Sequence, residues 1–155
     1  MNTPRDWANQ KEKALLTGLE KCSMAFNFSV VIDVRLRDMD PFGHVNNAVY
    51  LTYFEIARVA YFQHLTGVQK LGEIGFIVAR AECDYRQGAV FGQRLKIEVG
   101  PTRLGTKSFT LGYRITTGST LIAEGSTVCV WYDYQTGSTI AFPPGMREKL
   151  EKDAA

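Results

Sequence analysis

Residues 37–62 read RDMDPFGHVNNAVYLTYFEIARVAYF. Between Asp38 and Asn47 the stretch holds two aspartates, a proline, a glycine, a histidine and two asparagines. Beyond Asn47 it turns apolar. Ala48, Val49, Leu51, Phe54, Ile56, Ala57, Val59, Ala60 and Phe62 cover most of a helical circumference. The spacing predicts a helix from about Asn46 to His64, with Glu55 and Arg58 as a narrow polar stripe. A helix apolar on nearly every side has to be buried on nearly every side. One flat sheet cannot do that, whereas a strongly curved sheet wrapped around the helix can. The polar cluster at its mouth is then either an ordinary cap or a set of reactive groups aimed by a helix start.

Strand patterns flank this segment. Upstream, Phe26, Phe28, Val30, Ile32 and Val34 alternate with mostly polar partners, so one face is buried and the other wet. Downstream, GFIVARAECDY (75–85) sets Ile77, Ala79, Ala81, Cys83 and Tyr85 on one face. RLKIEVGP (94–101) buries Leu95, Ile97 and Val99, and SFTLGYRI (108–115) buries Phe109, Leu111, Tyr113 and Ile115. TLIAEGSTVCVWYD (120–133) is long enough to span a whole sheet, with a bend expected at Gly125. The joints RQGAVFGQ (86–93), TRLGTK (102–107) and TTGS (116–119) suit hairpin loops, which makes most pairings antiparallel. PPGMREKLEKD (143–153) reads as a short exposed helix. Strand, long helix, then four strands gives one α+β domain over residues 26–155, behind a polar N-terminal extension of residues 1–25.

Composition narrows the function. The 155 residues suffice for one domain, and 45% hydrophobic with 22% charged residues is ordinary for a globular chain. With 18 basic and 16 acidic residues and no basic run, nothing favours nucleic acid. No apolar stretch approaches a membrane span and no leader pattern opens the chain, so a cytoplasmic location is expected. Cys22, Cys83 and Cys129 are an odd set without CxxC spacing and read as reduced thiols. With only His44 and His64 beside them, no metal site is expected.

The motif DMDPFGHVNNAVYLTYFEIAR (38–58) resembles the signature of the 4-hydroxybenzoyl-CoA thioesterase family of hotdog-fold proteins. The likeness continues through VARAECDYRQGAVFGQRLKIEV (78–99), LGTKSFTLGYRI (104–115) and AEGSTVCVWYD (123–133). It implies an antiparallel sheet wrapped around a central helix, and an acyl-CoA thioesterase that needs no cofactor. It also implies a homo-oligomer, dimer or tetramer, with each site at a subunit boundary. By the same resemblance Asp40 is the catalytic carboxylate, as general base toward water or as direct nucleophile. The backbone N–H of Asn47 is the implied oxyanion donor, in keeping with the unpaired N–H groups and positive dipole end of a helix start.

Other residues are candidates in different degrees. Asp38 reads as a cap or as the partner of a neighbouring arginine. His44, Asn46 and Asn47 resemble the H-V-N-N run of plant-type acyl-ACP thioesterases, but Phe42 stands where that group carries an asparagine. His44 is therefore expected to orient Asp40, line the pocket or cap the loop, and Asn46 to brace it. Tyr50, Tyr53 and Phe54 are expected in the core or at a subunit interface, with Tyr50 and Phe54 as candidate acyl-pocket lining. Glu55 and Arg58 are expected to pair with each other or across an interface, and the resemblance puts Glu55 forward as a second acid. GPTRLGTKS (100–108) nearly spells a phosphate loop, but carries one residue too many and lies between strands. Arg103 and Lys107 are instead candidates for the CoA phosphates, with Arg80, Arg86 and Arg94 behind them. Acyl-ACP hydrolysis and a non-catalytic acyl-CoA-binding module are the competing readings.

Overall fold

Alternation produces the first strand, β1 (Phe28–Asp33), with Phe28, Val30 and Ile32 turned inward and Ser29, Val31 and Asp33 exposed. The computed structural model describes residues 26–154 apart from 71, 72 and 74. The expected extension of residues 1–25, with Cys22, lies outside the described residues. After a 3-10 turn at Leu36–Asp38 come helix α1 (Val49–Thr66), β2 (Phe76–Tyr85), β3 (Arg94–Leu104), β4 (Ser108–Thr117) and β5 (Thr120–Asp133). A two-residue strand β6 (Ser138–Thr139) and helix α2 (Met146–Asp153) follow. The strands form one antiparallel sheet ordered β1-β3-β4-β5-β2, with β6 on the end of β5. Among the described residues no helix is long and apolar enough to cross a membrane.

The core carries the side chains expected of it. Leu95, Ile97, Val99, Phe109, Leu111, Tyr113 and Ile115 are all buried on the face that meets α1. Two of the three joints are hairpins, at residues 105–107 and 118–119. The third, RQGAVFGQ, is not. β2 and β3 lie on different sides of the sheet, so residues 86–93 cross over rather than turn back.

Several expectations are corrected. Helix α1 starts at Val49, not near Asn46, and residues 46–48 form a turn. It buries a stripe rather than its whole surface. Tyr50, Tyr53, Phe54, Ala57, Arg58, Tyr61 and Phe62 face the sheet, while Leu51 and Ile56 stay 42% and 39% exposed. Arg58 is thus part of the buried stripe, and Glu55 remains exposed without it. On β2 a bulge at Ala79 swaps the alternation. Phe76 and Val78 share the concave face with Ala81, Cys83 and Tyr85, while Ile77 and Ala79 do not belong to it. Gly125 is not a bend. Pairing runs through it, and it is a point of close approach, where a Cβ would lie 2.5 Å from the Phe54 ring.

Helix α2 is docked, not merely exposed. Leu150 is fully buried, a contribution of about 2 kcal/mol. Arg147 stacks on Phe142 at 4.4 Å and donates to the Gly105 carbonyl. Phe142 in turn closes an aromatic cluster of Phe62, Phe76, Phe109 and Trp131 at the C-terminal end of α1. The other end of α1 is left open, and the polar loop is there.

Candidate active site

The loop between β1 and α1 is a small hairpin. The Asp40 N–H donates to the His44 carbonyl at 2.8 Å and the Gly43 N–H to the Asp40 carbonyl at 3.2 Å, beside a bridge between Met39 and Val45. Each residue type follows from the turn. Pro41 presets φ for the first corner, and Gly43 takes φ +86°, a left-handed conformation that glycine adopts without strain. Asp40 folds its side chain back on this turn. Its Oδ1 accepts from the N–H of Phe42 at 2.8 Å and of His44 at 3.3 Å. Its Oδ2 has no partner among the described residues. One oxygen is tethered, so the other is held at a fixed position.

The next turn sets the donor. Asn46 accepts the Ala48 N–H on its Oδ1 at 2.9 Å, and its own N–H donates to the Asp38 carbonyl at 2.9 Å. Asn46 therefore braces the turn. The Asn47 N–H, between these two, has no acceptor among the described residues. The Asn47 carbonyl is held from β2, where the Tyr85 hydroxyl donates to it at 3.0 Å. The Ala89 N–H donates to the buried Tyr50 hydroxyl at 3.3 Å, and the Val45 N–H to the Ala89 carbonyl at 2.8 Å. Crossover residues 86–93 thus zip the polar loop to the sheet. Gly88 has no room for a side chain, because a Cβ would run into the His44 ring.

Asp38 carries the frame. It is 3% exposed, forms an ion pair with Arg35 at 2.9 Å and accepts the Tyr53 hydroxyl at 2.9 Å. Burial raises its pKa, but the Arg35 side chain, the Arg35 N–H and Tyr53 together outweigh burial and hold the carboxyl below its ordinary value. A carboxylate with a depressed folded pKa contributes stability that is complete above the unfolded value and fades as pH falls through the folded one. Asp38→Asn is therefore expected to lower Tm at pH 7. The gap to wild type should narrow as the pH drops below about 4, which a thermal-melt series against pH measures.

An open cleft of about 310 Å³ is lined by Asp40, Val45, Asn47, Tyr50, Tyr85, Arg86, Gln87 and Gly88. Of the expected residues it unites Asp40, Asn47 and Tyr50. His44 lies beside it, contributing its N–H to Asp40 and its ring to the Gly88 contact, with the ring itself exposed. Phe54 is fully buried, stacked on Tyr113 with ring centroids 4.3 Å apart. Arg103 and Lys107 are not brought to the cleft. Lys107 donates to Thr139 at the far end of β4, about 25 Å along the strand from the Tyr85 level. Arg86 lines the cleft instead, loosely paired with Glu124 at 3.4 Å and Asp84 at 3.6 Å. Arg86 is thus the one reserve candidate for the phosphates that the structure brings to the cleft. Tyr85, expected only as a strand residue, and Gly88, in a segment that reads as a plain hairpin, carry no sequence signal for the site beyond close-spaced glycines. Among the described residues, no group of three or more His, Cys, Asp or Glu side chains is arranged to hold a metal ion.

The model of the thioesterase-like superfamily matches residues 34–150, the whole stretch from the end of β1 into α2. The chain belongs to that superfamily. It is a thioester hydrolase with a hotdog fold. The Escherichia coli long-chain acyl-CoA thioesterase FadM is 32% identical over 125 residues, covering 78% of this chain and 95% of FadM. A Thermus thermophilus thioesterase solved in complex with coenzyme A and Zn superposes with TM-score 0.75 at 38% identity, covering 81% of this chain and 98% of that one. A predicted thioesterase from Bacillus stearothermophilus superposes with TM-score 0.77 at 28% identity, covering 83% and 96% of the respective chains. In this thioesterase the polar loop, not the far hairpin, lies over the open end of the central helix.

Proposed function

We propose that the enzyme hydrolyses acyl-CoA thioesters to the free acid and CoA, with Asp40 as the reactive carboxylate and the Asn47 N–H as oxyanion donor. One observation carries the reading: Asp40 has one oxygen tethered and the other unpaired, in the same cleft as an unpaired N–H. Either the carboxylate takes a proton from water, whose oxygen attacks the thioester carbon, or it attacks that carbon itself. In both routes the C=O electron pair moves onto oxygen, and the negative charge develops where a fixed N–H can meet it. Collapse breaks the C–S bond, and the thiolate leaves and takes up a proton as CoA. The water route releases the free acid at once, whereas direct attack leaves a mixed anhydride on Asp40 that a water then cleaves, releasing the acid and restoring the carboxylate. Arg86 supplies positive charge for the phosphate-bearing carrier, and the names of FadM and of the CoA-bound Thermus protein support a CoA ester.

The working unit in this reading is a homo-oligomer. β2 is an edge strand of ten residues whose concave side exposes Val78 and Tyr85 at 42% and 50%. A long edge of that kind pairs or is covered, and the smallest assembly that does so is a dimer joined on β2. The test is thiol release from matched panels of acyl-CoA and acyl-ACP esters. Turnover of one or more acyl-CoAs is expected. Hydrolysis of acyl-ACP alone would reassign the carrier, and no hydrolysis of either would favour a binding module.

A further inference from the structure

Arg58 is a buried charge that neither the core nor the cleft employs. It is 8% exposed, and its Nη1 donates to the Tyr113 hydroxyl at 3.4 Å. Among the described residues it forms no salt bridge. A guanidinium offers five N–H donors, and burying it without an acid beside it is costly. Its field is felt locally. Burial pushes the Tyr113 phenol up to about 12, with the Arg58 charge pulling the other way.

The acid that complements it is on the same helix but not bonded to it. Glu55 is exposed and has no hydrogen-bond or ion-pair partner among the described residues. It shares a flank of α1 with Leu51, Arg58 and Phe62. That flank looks toward β5 and β2, as the contacts of Phe54 with Gly125 and of Phe62 with Phe76 establish. The surface on that side carries Leu51 of the flank and Val78 of the concave face of β2, both apolar and both 42% exposed.

We propose that this surface receives a second copy of the chain across a two-fold axis, with Glu55 of the partner subunit bonded to Arg58 and, reciprocally, Arg58 of the partner subunit bonded to Glu55. This rests on the reading that the enzyme is a homo-oligomer joined on β2, and it adds what fixes the register of that joint. A two-fold contact pairs residue i with j and j with i. Glu55 and Arg58 share a flank about 4.5 Å apart along the axis, so an antiparallel copy crossing between them satisfies both pairs at once. The level of the sheet agrees. Around Arg58 stand Tyr113, Thr127 and Cys129, and Thr127 and Cys129 pair with Ala81 and Val78. An axis passing α1 between residues 55 and 58 thus meets β2 at its middle, the point about which β2 can pair with its own copy. One axis serves both contacts.

The test is the dimer dissociation constant, measured by sedimentation, with folding checked by circular dichroism. Glu55→Arg changes an exposed residue outside the cleft and sets like charges against each other, so the constant is expected to rise at least about ten-fold. Adding Arg58→Glu should recover much of the loss. Because that change puts a carboxylate into the core, the milder cycle of Glu55→Gln, Arg58→Gln and both is measured as well. The two single losses should overlap rather than add, as they do for groups that bond each other. An unchanged constant for Glu55→Arg, or strict additivity in the cycle, would overturn the pairing and leave the dimer standing. A monomeric wild type would overturn both. If Arg58→Gln raised KM for one acyl group while the dimer held unchanged, Arg58 would belong to substrate and the proposal would fail.

Discussion

Asp40→Asn is expected to lower kcat by about 10²–10⁴-fold, equivalent to ~3–5 kcal/mol of transition-state stabilisation. The amide is nearly the same size, and its oxygen can still accept from the Phe42 and His44 N–H groups. The turn should therefore survive and substrate should still bind. What is lost is the second oxygen as a base or nucleophile, because an amide neither takes a proton from water nor attacks a carbonyl readily. KM should change little, since an interaction confined to the transition state appears in kcat. The measurement is steady-state hydrolysis of whichever acyl-CoA the wild type turns over, alongside thermal melts. A variant within ten-fold of wild type, under ~1.4 kcal/mol, would remove Asp40 from the chemistry.

The largest effect on stability is expected at Gly125. A Cβ there would run into the backbone carbonyl of Glu82 and reach the Phe54 ring at 2.5 Å. Glu82 lies on the neighbouring strand, so relief requires β2 and β5 to separate where they pair, and Phe54 is locked by its stack on Tyr113. Overpacking of a fixed core typically costs about 1–3 kcal/mol, and a clash with backbone puts Gly125→Ala at the upper end or beyond. For a chain of this size that is roughly a 10 °C fall in Tm. Gly118→Ala is the useful contrast. Nothing stands within 4 Å of its Cβ, so its loss should be limited to the strain of φ +57°. Equal losses at the two positions, measured by calorimetry, would contradict the close-approach reading.

The parts of the fold that follow from local periodicity were legible in the sequence. Leu95, Ile97, Val99, Phe109, Leu111, Tyr113 and Ile115 alternate in strands buried on one side, where a two-residue period maps directly onto burial. β2 shows where this fails: one extra residue at Ala79 exchanges the faces, and no composition signal marks a bulge. Helix α1 shows a second limit. Its apolar residues predict burial all round, yet Leu51 and Ile56 are exposed in the protomer, where an oligomer can use them. The turn around Asp40 was legible because Asp, Pro and Gly each answer a conformational demand. The crossover 86–93 was not, because a hairpin and a crossover both use glycine. Which strands neighbour one another is a long-range property, and Tyr85, Arg86 and Gly88 reach the site only through it. Arg103 and Lys107 stand out by their charge, but charge says nothing about which end of a sheet a hairpin occupies.

The proposed chemistry requires a thioester carbonyl seated between Asp40 and Asn47. The direct measurement is a crystal structure with a non-hydrolysable acyl-CoA analogue whose thioester is replaced by a ketone, leaving the carbonyl oxygen in place. The expected result is that oxygen within about 3 Å of the Asn47 nitrogen, the carbonyl carbon facing the free oxygen of Asp40, and the nucleotide leaving the cleft on the Arg86 side. A carbonyl bound elsewhere, with the Asp40–Asn47 cleft empty or filled by the nucleotide instead, would contradict it.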